Sequence, residues 1–82
     1  MEKRIGAILI NVNSKEHIVA LNDVLTELSP LIIARQGIHL KERSLNVISL
    51  VVEGSVSEIS ALSGKIGRIP GMMVKSVLSK QV

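Results

Sequence analysis

The sequence predicts an α+β fold, a ferredoxin-like βαββαβ arrangement with a four-stranded antiparallel sheet and two helices on one face. Three observations predict it. Apolar, β-favouring runs of strand length stand at Ile5–Val12 and Leu45–Glu53, bounded by charged or turn-forming residues. Two stretches with apolar residues at helical spacing each follow a serine able to cap them, Ser14 and Ser55. The two halves also echo each other when Ser14 is laid on Ser55, Ile18 on Ile59, Ala20-Leu21 on Ala61-Leu62, Leu25 on Ile66 and Leu28 on Ile69. A duplicated βαβ unit with right-handed crossovers closes into such a sheet, with the first and third strands in its centre.

The elements follow in order. Ile5–Val12 is nearly unbroken in apolar character, as suits a strand covered on both faces. Asn13-Ser14 ends it, and the Ser14 hydroxyl can accept a backbone N–H that the first helical turn leaves unsatisfied, with Glu16 complementing the positive end of the helix dipole. Ile18, Leu21, Leu25 and Leu28 supply the buried stripe of the first helix, widened by Val24. Pro30 disfavours helical geometry at Ser29, so that helix ends near Leu28. The second strand runs from Leu31 to about Leu40, with Gly37 as the expected bulge. Lys41-Glu42-Arg43 is the hairpin tip, and Leu45–Glu53 returns as the third strand, antiparallel to the second.

The second helix has the clearer start. Ser55-Val56-Ser57-Glu58 fits a capping box, and Ile59, Leu62 and Ile66 form its buried face up to Gly67. Ile69-Pro70-Gly71 suits a type II turn, Pro presetting φ and Gly taking the positive φ. Met72–Leu78 is the fourth strand, and Lys80–Val82 is expected to fray.

The chain has 82 residues, 46% of them apolar, so residues 1–82 are expected to form one domain. So short a chain leaves a margin of only a few kcal/mol unless something supplements its core. Without cysteine, neither a disulfide nor a thiolate zinc site can do so, and the cheapest supplement is another copy of the chain. Ten Lys and Arg against seven Asp and Glu leave a net charge of +3, spread too thinly to demand a polyanionic partner. Met1-Glu2-Lys3-Arg4 before Ile5–Ile10 faintly imitates a signal peptide, but Asn11 and Asn13 stop the apolar run and no cleavage site follows. No run approaches the ~18 apolar residues of a membrane span, so a cytoplasmic protein without membrane attachment is expected.

Helices on one side leave the other face of the sheet bare, yet both faces carry apolar residues. An uncovered apolar face usually marks an interface. Ile8 and Ile10 of the first strand and Val47 and Val51 of the third are the expected assembly surface of a homo-oligomer, a dimer or a tetramer. A small anionic effector is the expected ligand, held by Asn11, Asn13 and Ser14 of the first strand-to-helix loop. Arg68, beside the second turn, and Arg35 or His39 from a neighbouring subunit complement its charge.

Other chemistries have less support. His17 and His39 are too few for a transition-metal site, and no metal or other cofactor is implied. Nucleophilic catalysis lacks both a cysteine and a Gly-x-Ser-x-Gly turn, so no catalytic residue is assigned. RNA-binding domains with this chain order stack bases on aromatic side chains, which are absent here. No helix is spare for reading DNA, and direct nucleic-acid binding is not expected.

Arg35-Gln36-Gly37-Ile38-His39, Lys41-Glu42-Arg43, the run Val47–Gly54, and Ala61-Leu62-Ser63-Gly64-Lys65-Ile66-Gly67-Arg68-Ile69-Pro70-Gly71 with Val74-Lys75-Ser76 together resemble a small ACT-like family of anaerobic bacteria. Its members are described as regulators of the iron-only hydrogenase system, after their association with hydrogenase maturation genes. A fainter similarity is to the ligand-binding half of the nickel-responsive repressor, whose core is a tetramer. The resemblance implies an oligomeric ACT-like regulatory module. Asn11-Val12-Asn13-Ser14 stands where amino-acid-sensing ACT domains carry Asp-x-x-Gly, and the repressor's His and Cys ligands and its DNA-binding arm are missing. The expected mechanism is ligand or partner binding at the subunit interface near the first loop, which reorients the subunits. The alternative is an adaptor in protein assembly or metallocluster maturation that docks a partner protein and senses nothing.

Overall fold

The computed structural model describes residues 3–43 and 45–79; the expected fraying of Lys80–Val82 lies outside them. The elements are β1 (Arg4–Val12), α1 (Ile18–Glu27), β2 (Ile32–Leu40), β3 (Leu45–Gly54), α2 (Val56–Gly67) and β4 (Met72–Leu78). The strands form one sheet in the order β2-β3-β1-β4, every neighbouring pair antiparallel. The two most continuously apolar strands are therefore its centre, as the sequence pattern requires.

The register decides the core. Ile8 pairs with Leu50 and Ile10 with Ile48, so these four side chains share one face. With Val12 and Val52 they pack against Leu21 and Leu25 of α1 and Ile59, Leu62 and Ile66 of α2. This corrects the expected assembly surface: Ile8 and Ile10 are 1% and 0% exposed beneath the helices. Val47 and Val51 lie on the opposite, open face, opposite Asn11 and Ala7 of β1. Ile5 and Leu9 are the large apolar β1 residues that share that face.

α1 starts later than its serine suggests. Ser14 caps a 3-10 turn over Lys15–His17, its Oγ accepting the Glu16 N–H at 3.2 Å, and the α-helix begins only at Ile18. The preceding loop is pinned to the far turn, where Asn13 N–H donates to the Gly71 carbonyl at 2.8 Å. A Cβ on Gly71 would stand 2.9 Å from that of Ser14, and Gly71 has φ of 81°. With Met72 N–H donating to Ile69 O, the expected turn at Pro70-Gly71 is in place. After Glu27 the chain passes through a second 3-10 turn, Ser29–Leu31, in which Pro30 sits at the start where no N–H is needed.

α2 begins with the expected capping box. Ser55 Oγ accepts from Glu58 N–H at 3.1 Å, and Glu58 Oε1 accepts from Ser55 N–H at 2.8 Å. Lys65 of α2 donates to Glu27 of α1 at 2.8 Å.

The bulge falls elsewhere than expected. Gly37 pairs regularly with Ile48, whereas the register shifts between Ile32 and Ala34. Ile32 still packs against the core as the chain leaves the helix layer. The extra residue, Ile33, turns the alternation over, so Ala34, Gln36 and Ile38 come to the open face.

Candidate functional site

Two surfaces carry the chemistry of this molecule, a groove on the covered side and the open face of the sheet. The groove lies at the β2 flank of the sheet, where the strand is exposed from Ile33 to Leu40 although α2 packs over β1, β3 and β4. Arg35, Gly37 and His39 are on the helix side of β2, opposite Leu50, Ile48 and Asn46, yet all three are exposed. Together with Val12 and with Ile18 at the start of α1 they enclose a groove of about 270 Å³.

Its floor is apolar and its rim is polar. Asn46 Oδ1 accepts from His39 Nδ1–H, which makes Nε2 the acceptor nitrogen of a neutral ring. Arg35 adds a planar guanidinium suited to a carboxylate or phosphate. Nothing lies within 4 Å of a Cβ built on Gly37, so the floor between the two side chains is open. The arrangement can seat a small ligand with an acidic group and a short apolar body.

Of the six residues expected to bind ligand, the structure brings Arg35 and His39 together within one chain. Asn11 is on the open face between Val47 and Met73. Asn13 and Ser14 remain in the loop, but the Asn13 N–H is engaged by Gly71 and the Ser14 hydroxyl by Glu16. Arg68 follows α2 and lines a separate hollow of about 200 Å³ with Ser60 and Lys65. Asn46 escaped the sequence reading; counting back across the hairpin from Lys41-Glu42-Arg43 pairs it with His39 and is the signal that could have found it. Among the described residues, no group of three or more His, Asp or Glu side chains could hold a metal ion.

The open face is a grid of rows running β2, β3, β1, β4. One row is Ile38, Val47, Asn11 and Met73. The next is Gln36, Ser49, Leu9 and Lys75. The third is Ala34, Val51, Ala7 and Val77. Two mainly apolar belts thus flank a more polar one. Ile5, Leu9, Ile38, Leu40, Val51, Met73 and Val77, all on this face, are between 38% and 70% exposed. None of the described helices is long and apolar enough to cross a membrane.

Comparison with known proteins places this architecture. The protein TM1266 of Thermotoga maritima is 35% identical, superimposes with a TM-score of 0.90, and is matched over 96% of this chain and 100% of its own. A protein of Galdieria sulphuraria gives a TM-score of 0.64 at 15% identity, over 99% of this chain and 48% of that one. A formyltetrahydrofolate deformylase of Pseudomonas putida KT2440 gives 0.61 at 10% identity, over 89% of this chain and 28% of the enzyme. At such identities the last two share the fold alone. No curated protein matches. The TM1266-like family model, described as "Iron-only hydrogenase system regulator, putative", matches residues 4–76, and the chain belongs to that family.

Proposed function

We propose that this chain is a non-catalytic, cytoplasmic regulatory module of the iron-only hydrogenase system that self-associates through the open face of its sheet and senses a small acidic ligand. The family supports the regulatory role, and the open face is the observation that carries the assembly. Seven large apolar side chains stand at least 38% exposed there, on the one side of the sheet that the helices do not cover. Exposed apolar belts of this kind mark an interaction site. In an 82-residue chain without disulfides it also supplies the burial that a core of this size lacks.

The ligand site in this reading is the groove at Arg35, His39 and Asn46. Its rim is built on β2, an edge strand whose Ala34, Gln36 and Ile38 belong to the open face. A ligand that fits the groove better in one arrangement shifts the population towards it.

Sedimentation at micromolar concentration tests the assembly, with a dimer or tetramer expected; a monomer sinks it. A thermal-shift screen of short carboxylic acids, phosphate and nucleotides tests the sensing. A binder at 100 times its Kd raises stability by ~2.7 kcal/mol, and Arg35→Ala abolishes the shift. A flat screen favours the adaptor reading instead.

A further inference from the structure

We infer that two copies pack open face to open face about a two-fold axis parallel to the strands, so that β2 of each copy lies over β4 of the other and β3 over β1. This rests on the assembly reading above and specifies its geometry.

Packed sheets keep their strands aligned to within about 30°, and a closed two-fold pairing buries the same patch on both copies. The axis then lies in the plane between the sheets, either parallel or perpendicular to the strands. Centred on the patch, a parallel axis reverses the strand order and lays each row on itself. Gln36 then meets the partner's Lys75, Ala34 the partner's Val77, Ala7 the partner's Val51, and Ile38 the partner's Met73. A perpendicular axis lays every strand on itself and reverses the rows about the middle one. Lys75 then meets the partner's Lys75 inside a water-poor interface.

Charge selects the parallel axis. Two ammonium groups facing each other in a partly desolvated layer repel, whereas a lysine facing a glutamine amide donates to its oxygen. Either axis sets the alanines of the third row against larger side chains, as tightly packed layers require, so the choice rests on Lys75. The seven exposed apolar side chains offer on the order of 600 Å² per copy against the roughly 800 Å² per partner of a standard stable interface. The smaller and polar residues of the same rows supply the remainder. The aligned packing angle offsets the outer strands by roughly one residue, a distance that the long Gln36 and Lys75 side chains span.

Within one chain Gln36 and Lys75 are on opposite edge strands, about 14 Å apart at the usual strand spacing and beyond the ~8 Å Debye length of physiological salt. A charge placed at Gln36 therefore reports on the neighbouring copy. The experiment is sedimentation equilibrium of the parent, Gln36→Glu, Gln36→Lys and Gln36→Lys/Lys75→Glu at physiological ionic strength, with circular dichroism confirming that each is folded. With the parallel axis Gln36→Glu lowers the dimer Kd about fivefold or more through two new ion pairs. Gln36→Lys raises it by a similar factor, and the double variant restores it. If the parent dimerises but Gln36→Glu weakens the dimer or leaves its Kd unchanged, the axis is wrong while the assembly reading stands. A monomeric parent overturns both.

Discussion

Gly71 shows how much one backbone position carries. Its φ of 81° is needed for the turn into β4, and its Cα faces Ser14 so closely that a methyl would stand 2.9 Å from the Ser14 Cβ. Its carbonyl also holds the first loop through Asn13. Gly71→Ala is expected to cost about 1–3 kcal/mol, from the left-handed conformation and the contact together; urea unfolding of the variant and parent checks it. Leu50, 0% exposed under both helices, belongs to a different class. Leu50→Ala is expected to cost ~2–5 kcal/mol through the cavity it leaves, readable in the same experiment.

The two helices show how like signals have unlike results. Ser14 and Ser55 occupy matching places in the repeat, but Ser55 closes a reciprocal box with Glu58 while Ser14 caps only a 3-10 turn. Ser55→Ala should therefore cost about 1 kcal/mol, and Ser14→Ala measurably less, in paired denaturation curves. Glu58 also makes the helix start pH-sensitive. The Ser55 backbone N–H, and then the Ser55 hydroxyl, hold its carboxyl below the ordinary 4.5. A carboxylate with a depressed folded pKa contributes its full stability above the unfolded value and loses it as pH falls through the folded one. The melting-temperature gap between the parent and Glu58→Ala should thus be open at pH 7 and narrow as the pH drops below 4.5. A gap that stays constant on acidification would show that the carboxylate is not what caps the helix.

At the scale of the whole molecule the governing feature is a sheet apolar on both sides with helices on one. Val77, the most exposed of the large apolar side chains on the open face at 70%, makes the consequence measurable. Val77→Asp should leave the urea midpoint of dissociated protein nearly unchanged, since surface substitutions usually fall within ~0.5 kcal/mol. It should raise the dimer Kd by at least tenfold in sedimentation, because a carboxylate would be desolvated between the sheets.

The sequence by itself determined the element order, the central pair of strands, the Ser55–Glu58 box, the Pro70-Gly71 turn and the family. Each depends on local spacing or on residue types that few conformations tolerate. The residues of the two faces were only half legible. Alternation separates Ile8 and Ile10 from Ile5 and Leu9, but which of those sets joins Val47 and Val51 depends on the β1–β3 register. Pairing of Ala7 with Val51 puts Ile8 and Ile10 under the helices. The site divides the same way: Arg35 and His39 were legible as ligand-binding groups, but as ones lent to the first loop of a neighbouring copy, and Asn46 and the bare flank of β2 were not legible. A groove is the space left where helices stop covering a sheet, and their position over it is decided by long-range packing that no local pattern encodes.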